Sequence, residues 1–232
     1  MVWQQRKDGF RMFLKKLVTV SLVLFTAHAA FAGGSKRPAP VPDPVPQEPT
    51  PAPIGSLDPD HEFEHVGVSF ISLTGFSAEE KNKVYQAAAV LEQVLNSVAF
   101  KNRVLNFRWN GEKQFADNNE LSNEEILIKL KEANELLLNE IDHIANFELT
   151  IYNPNFFGRN VVGYTYPDSL QIFMNRNFFS SFTAAEVAGN MAHEWTHKLG
   201  FDHDFNSTAK RPYSVPYAIG DIVNEIGDQL IK

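Results

Sequence analysis

Residues 193–203 read His-Glu-Trp-Thr-His-Lys-Leu-Gly-Phe-Asp-His. His193 and His197 stand four apart, so on a helix both imidazoles leave the same face about one turn from each other. Two rings so placed can share one metal ion. Glu194 follows the first histidine and points round the helix from the pair, within reach of a water on the metal without being a ligand itself. Gly200 has no Cβ and tolerates positive φ, which ends a helix and turns the chain sharply. That turn can return His203 as a third nitrogen. Three protein ligands and one open position is the arrangement of a catalytic zinc site, whereas a structural site is closed by four.

The string fits H-E-x-x-H-x-x-G-x-x-H without departure, and it resembles the metzincin clan of zinc endopeptidases. Asp204, directly after the third histidine, is similar to the family-distinguishing position of adamalysins and snapalysin-like enzymes. The resemblance implies one catalytic Zn2+ held by His193, His197 and His203, with Glu194 as general base. It also implies a methionine in a turn beneath the metal, and here the chain departs from the pattern. Its four methionines, Met1, Met12, Met174 and Met191, all precede His203. In the Tyr-Ser-Val-Pro-Tyr segment 213–217, Pro216 stands where the methionine is expected. The expectation is therefore an atypical branch without the Met-turn methionine. Tyr217 has two readings, oxyanion stabilisation or packing, with packing favoured. Asn224-Glu225 resembles the pair that supplies a carboxylate ligand in thermolysin-like enzymes, but the closer Gly200 and His203 favour His203 over Glu225.

The helix that must carry the motif is announced upstream. Thr183-Ala184-Ala185-Glu186 is a capping box, and the residues behind it form helix readily, so a helix over 184–199 is expected. Two more capping boxes, Ser77…Glu80 and Ser122…Glu125, open helices expected to run to about 96 and about 140. Val84, Ala87, Ala88, Leu91, Val94 and Leu95 form the buried stripe of the first. Ile126, Leu130, Ala133 and Leu137 face inward on the second, and its charges form a solvated face. Apolar alternation predicts strands over 61–74, 104–109, 147–152, 161–166 and 170–173. A closing helix is expected over 218–230. His61 and His65, at the start of the first strand, are read as surface residues.

This order is similar to a metzincin catalytic domain: an α+β fold with a twisted mixed five-stranded sheet, two helices, an active-site helix and a small C-terminal subdomain with a closing helix. If that topology holds, Val162-Gly163-Tyr164-Thr165-Tyr166 is the edge strand over the cleft. A peptide substrate can add to such an edge as an extra strand, and Gly163 would let its backbone approach closely.

The beginning of the chain has a different character. Lys15 and Lys16 precede an apolar run over 17–25, followed by Ala30-Phe31-Ala32, so residues 1–32 read as a secretory signal peptide and not as a lasting membrane span. Eight of the thirteen prolines lie within 38–53, and residues 33–56 read as an extended polyproline II linker. Residues 57–232 remain as one catalytic domain, long enough to bury a core. The formal charge of −7 includes a net +4 on residues 1–32, which leaves −11 once they are removed. That balance argues against nucleic acid or an anionic membrane as partner. Zero cysteine removes disulfides, thiolate metal sites and a cysteine-based latency switch. The expectation is a secreted or periplasmic monomer acting on protein or peptide. Two rivals stand beside it: a zinc-binding adhesion or structural module without catalysis, and a zinc amidohydrolase acting on a non-protein amide. An intact Glu194 argues against the first, because ligation alone does not need it.

Overall fold

The computed structural model describes residues 63–154 and 160–231. The expected signal peptide, the proline-rich linker and His61 lie outside the described residues. Among the described residues, four strands and six α-helices make a mixed α+β fold. The elements are β1 (Gly67–Thr74), α1 (Ala78–Leu95), α2 (Val98–Leu105), α3 (Asn123–Glu132), β2 (Ile144–Tyr152), β3 (Gly163–Thr165), β4 (Gln171–Asn175), α4 (Arg176–Ser181), α5 (Ala184–Lys198) and α6 (Val215–Leu230). None of these helices is long and apolar enough to cross a membrane.

The sheet order is β1-β2-β4-β3. β1, β2 and β4 run parallel, and β3 pairs antiparallel with β4 at the edge. Parallel neighbours need long crossovers, and α1, α2 and α3 fill the one between β1 and β2. Ala145, Phe147, Leu149 and Ile151 alternate along β2 and are buried on one face, together with Ile172 and Met174 of β4. The stripe of α1 (Val84, Ala87, Ala88, Leu91, Val94, Leu95) is buried as expected, and α5 packs against both α1 and α6.

All three capping boxes form. Ser77, Ser122 and Thr183 each accept from the amide three residues on, and Glu80, Glu125 and Glu186 each reach back to the cap amide. These contacts span one helical turn, so sequence alone suffices to specify them.

Three expectations are corrected. The strand over 104–109 does not form, and the sheet has four strands among the described residues, not five. Ser97 caps α2 by accepting from the Phe100 amide at 3.0 Å, and α2 buries Phe100 and Val104. The helix takes Val104 and Leu105, and past its cap at Asn106 the chain is irregular, with Phe107 stacked on Phe115 at 4.2 Å. The helix expected to reach about 140 stops at Glu132, because Ala133 is left-handed with φ 51°. Beyond that reversal the helical period no longer applies: Leu137 is 50% exposed and Glu135 only 1%. The closing helix starts at Val215, three residues earlier than expected, so Pro216 and Tyr217 sit in its first turn.

Candidate metal centre

α5 ends as the sequence requires of it. Gly200 has φ 91°. Its amide bonds the carbonyl of His197 at 3.0 Å, and the Phe201 amide bonds that of Thr196 at 3.1 Å. This is a Schellman closure, in which a left-handed residue lets two successive amides satisfy the last carbonyls of the helix. Phe201, fully buried, anchors the reversed chain. Two residues further on, His203 comes back against the helix.

The three histidines meet. Ring centroids lie 5.2 Å apart for His193–His197, 5.3 Å for His193–His203 and 4.9 Å for His197–His203. One ring nitrogen of each lies within 4.8 Å of the others. Three nitrogens each 2.0–2.1 Å from a tetrahedral metal would be separated by about 3.3 Å, so small ring rotations bring the set onto one ion. The three are close enough to bind a metal ion.

Two of their outer nitrogens are held. His197 Nδ1 pairs with the Phe201 carbonyl at 2.7 Å and His203 Nδ1 with the Asp204 carbonyl at 3.1 Å. Such a bond fixes the tautomer and leaves Nε2 with its lone pair for a metal. Burial, reinforced by the neighbouring imidazoles, pushes His193 well below the usual histidine range and His197 down to about 4. Burial also lowers His203. All three are neutral near pH 7, the protonation state that ligates.

Glu194 is 4% exposed, and burial pushes its carboxyl up to about 8 against the pull of the Lys198 ammonium. It has no hydrogen-bond partner among the described residues. A buried carboxyl group without a protein hydrogen-bond partner is costly for stability and suited to proton transfer. A Cβ added to Gly163 on β3 would stand 3.0 Å from Glu194 Oε1 and 3.1 Å from Asn190 Nδ2. The missing side chain lets the edge strand pass directly over the carboxylate.

Tyr217 lies on the opposite flank. Its ring stands edge-on to His193 with centroids 4.6 Å apart, and is 4.8 Å from His203. The guanidinium of Arg211 covers the ring face at 4.9 Å. Nothing in the sequence pattern singled out Arg211, which reaches the site only because the segment after His203 folds back before α6. Glu225 is away from the centre, in an ion pair with Arg103 at 2.6 Å. Asn224 packs instead against Gly189. His65 bonds Glu92 at 3.0 Å on the surface. Asp204 is no ligand either. It accepts from Thr208 and pairs with Lys210 at 3.2 Å, which also holds Asp117, so it ties down the loop after His203.

Behind the metal face, Trp195 is fully buried and donates its indole N–H to Glu135 at 2.7 Å. The same carboxylate oxygen accepts from the Asn146 amide at 2.9 Å. Glu135 therefore fastens α5 to the start of β2, although its place in the sequence suggested a solvated face. No family model matches the chain, and neither does any curated protein.

Proposed function

We propose that the chain is an exported zinc endopeptidase, similar to the metzincins but without their Met-turn methionine. The observation that carries this reading is a buried, unpartnered carboxylate, Glu194, next to three neutral histidines whose ring nitrogens converge. Nitrogen-only ligation by three imidazoles suits zinc. A bound zinc ion would supply a Lewis acid for the scissile carbonyl and bring a water towards pKa about 7.

The chain's own residues do the rest. Glu194 takes the proton of the attacking water and passes it to the leaving amine. Tyr217, held by Arg211, is placed to donate to the carbonyl oxygen as negative charge develops there. The free edge of β3 offers a substrate backbone a strand to pair with. Export rests on the signal-like residues 1–32, and the negative balance of the remainder suits a protein or peptide partner over nucleic acid.

The test is metal analysis of the purified protein together with a peptide-library digest, run beside Glu194→Gln. The variant should keep stoichiometric zinc and lose at least about a hundredfold in turnover. Retained turnover would overturn the assignment of the base. Zinc without cleavage of any peptide would leave a binding module or a hydrolase of other amides.

A further inference from the structure

Lys198 follows the second metal ligand and is 4% exposed. A cation in the last turn of a helix ordinarily sits in water and complements the helix dipole. This one does not. Its ammonium donates to Thr165 Oγ1, to the Tyr166 carbonyl at 3.0 Å and to the Ser169 carbonyl. An ammonium has three protons, and all three acceptors belong to the end of β3 and the turn into β4. That turn is itself closed. Thr165 Oγ1 donates to the Gln171 carbonyl at 2.7 Å, and Ser169 Oγ accepts from the Gln171 amide at 3.0 Å.

The spacing gives this clamp its meaning. Glu194 and Lys198 are four apart on α5, about 6 Å along the helix axis. Gly163 and Thr165 are two apart on β3, about 6.8 Å along the strand. The two repeats nearly match, so Gly163 lies over Glu194 while Thr165 lies over Lys198. The edge strand is thereby fixed to the helix at Lys198, with Gly163 passing over Glu194.

We infer that Lys198 is a positioning residue that sets the register of the β3 edge against the metal centre, and with it the place of a substrate strand over the metal. The inference rests on the endopeptidase reading, with the substrate paired to β3. Loss of the clamp lets the hairpin drift without touching the three histidines. Binding of an extended peptide weakens equally in the ground and transition states, which raises KM and leaves kcat.

The experiment uses the zinc-loaded full chain and peptide substrates selected from a library digest. Lys198→Met should raise KM about tenfold or more, with zinc affinity within about threefold of the parent. Amide hydrogen exchange over 163–169 should quicken in the same variant. Thr165→Val removes one acceptor from the opposite side and should act in the same direction, and the double variant should do no more than Lys198→Met alone. Lys198→Arg should recover part of the loss. If Lys198→Met does not fold, Thr165→Val and Lys198→Arg carry the comparison. Unchanged KM in an active series overturns the inference, as does a fall in kcat alone or a loss of zinc affinity. A parent that cleaves no peptide sinks the endopeptidase reading instead, and the exchange measurement still decides the clamp: unchanged protection over 163–169 overturns it.

Discussion

Replacing Gly189 by alanine sets helix propensity against packing. Gly189 lies inside α5, where it meets Gly220 of α6. Propensity alone makes Gly189→Ala stabilising by about 0.8–1.0 kcal/mol. The crossing says otherwise. A Cβ at Gly189 would stand 2.7 Å from the Gly220 carbonyl oxygen and 2.9 Å from Asn224 Cβ. Carbon and carbonyl oxygen approach to about 3.3 Å at best, so the helices must part by roughly 0.6 Å. The obstacle is backbone, which cannot rotate away. Overpacking of this kind costs about 1–3 kcal/mol, and less the propensity gain the net expectation is destabilisation by about 0–2 kcal/mol. For a domain of this size that lowers Tm by up to about 8 °C. The functional consequence is local, because α6 carries Pro216 and Tyr217, which touch His193. Zinc affinity should therefore fall as well. The assays are denaturant unfolding of the metal-free protein and calorimetric zinc titration. Gly67→Ala, with nothing within 4 Å of its added Cβ, serves as control and should be neutral. A Gly189→Ala protein more stable than its parent, with unaltered zinc affinity, would refute the close crossing as the device that seats α6 against the ligands.

Two further outcomes are expected. Lys131 is 7% exposed, and burial pushes it down to about 8 from its ordinary 10.5. Between those values the unfolded chain holds a proton that the native one has lost, so this residue makes stability rise as pH climbs from 8 to 10.5, by at most about 3 kcal/mol. Lys131→Met should stabilise the protein by about 1–3 kcal/mol at pH 7 and flatten that rise, as read by urea unfolding of both proteins across the pH range; its partner Asn96 Oδ1 keeps the Val66 amide at 2.9 Å. Zinc at a hundredfold excess over its Kd should add about 2.7 kcal/mol to the native state, visible as a Tm rise that chelator reverses and that His203→Ala abolishes. An equal Tm rise in His203→Ala would remove that histidine from the ligand set.

How far the sequence reached follows from the range of each interaction. The capping boxes at Ser77, Ser122 and Thr183 and the turn at Gly200 join residues within one helical turn, and each stands where the pattern placed it. The convergence of His193, His197 and His203 is nearly as local, since eleven residues contain both the helix and the reversal. Periodicity failed where one residue changes the frame. Ala133 turns left-handed, and past it Glu135 goes inward and Leu137 outward. It failed again at 104–109, where the helix capped at Ser97 runs on to Leu105 and the residues beyond it form no strand.

The sequence by itself determined the histidine-bearing helix, its cap, its glycine stop and the three nitrogens, because all of them are set by contacts a few residues long. Only the tertiary structure decided what surrounds them. Arg211 and Tyr217 arrive from beyond the motif, Gly163 and the Lys198 clamp join strands to a helix about thirty residues away, and Glu135 holds Trp195 from sixty residues upstream. Those partners are chosen by how the sheet and helices pack. The burial that keeps the histidines neutral and leaves Glu194 dry comes into being only when that packing is complete.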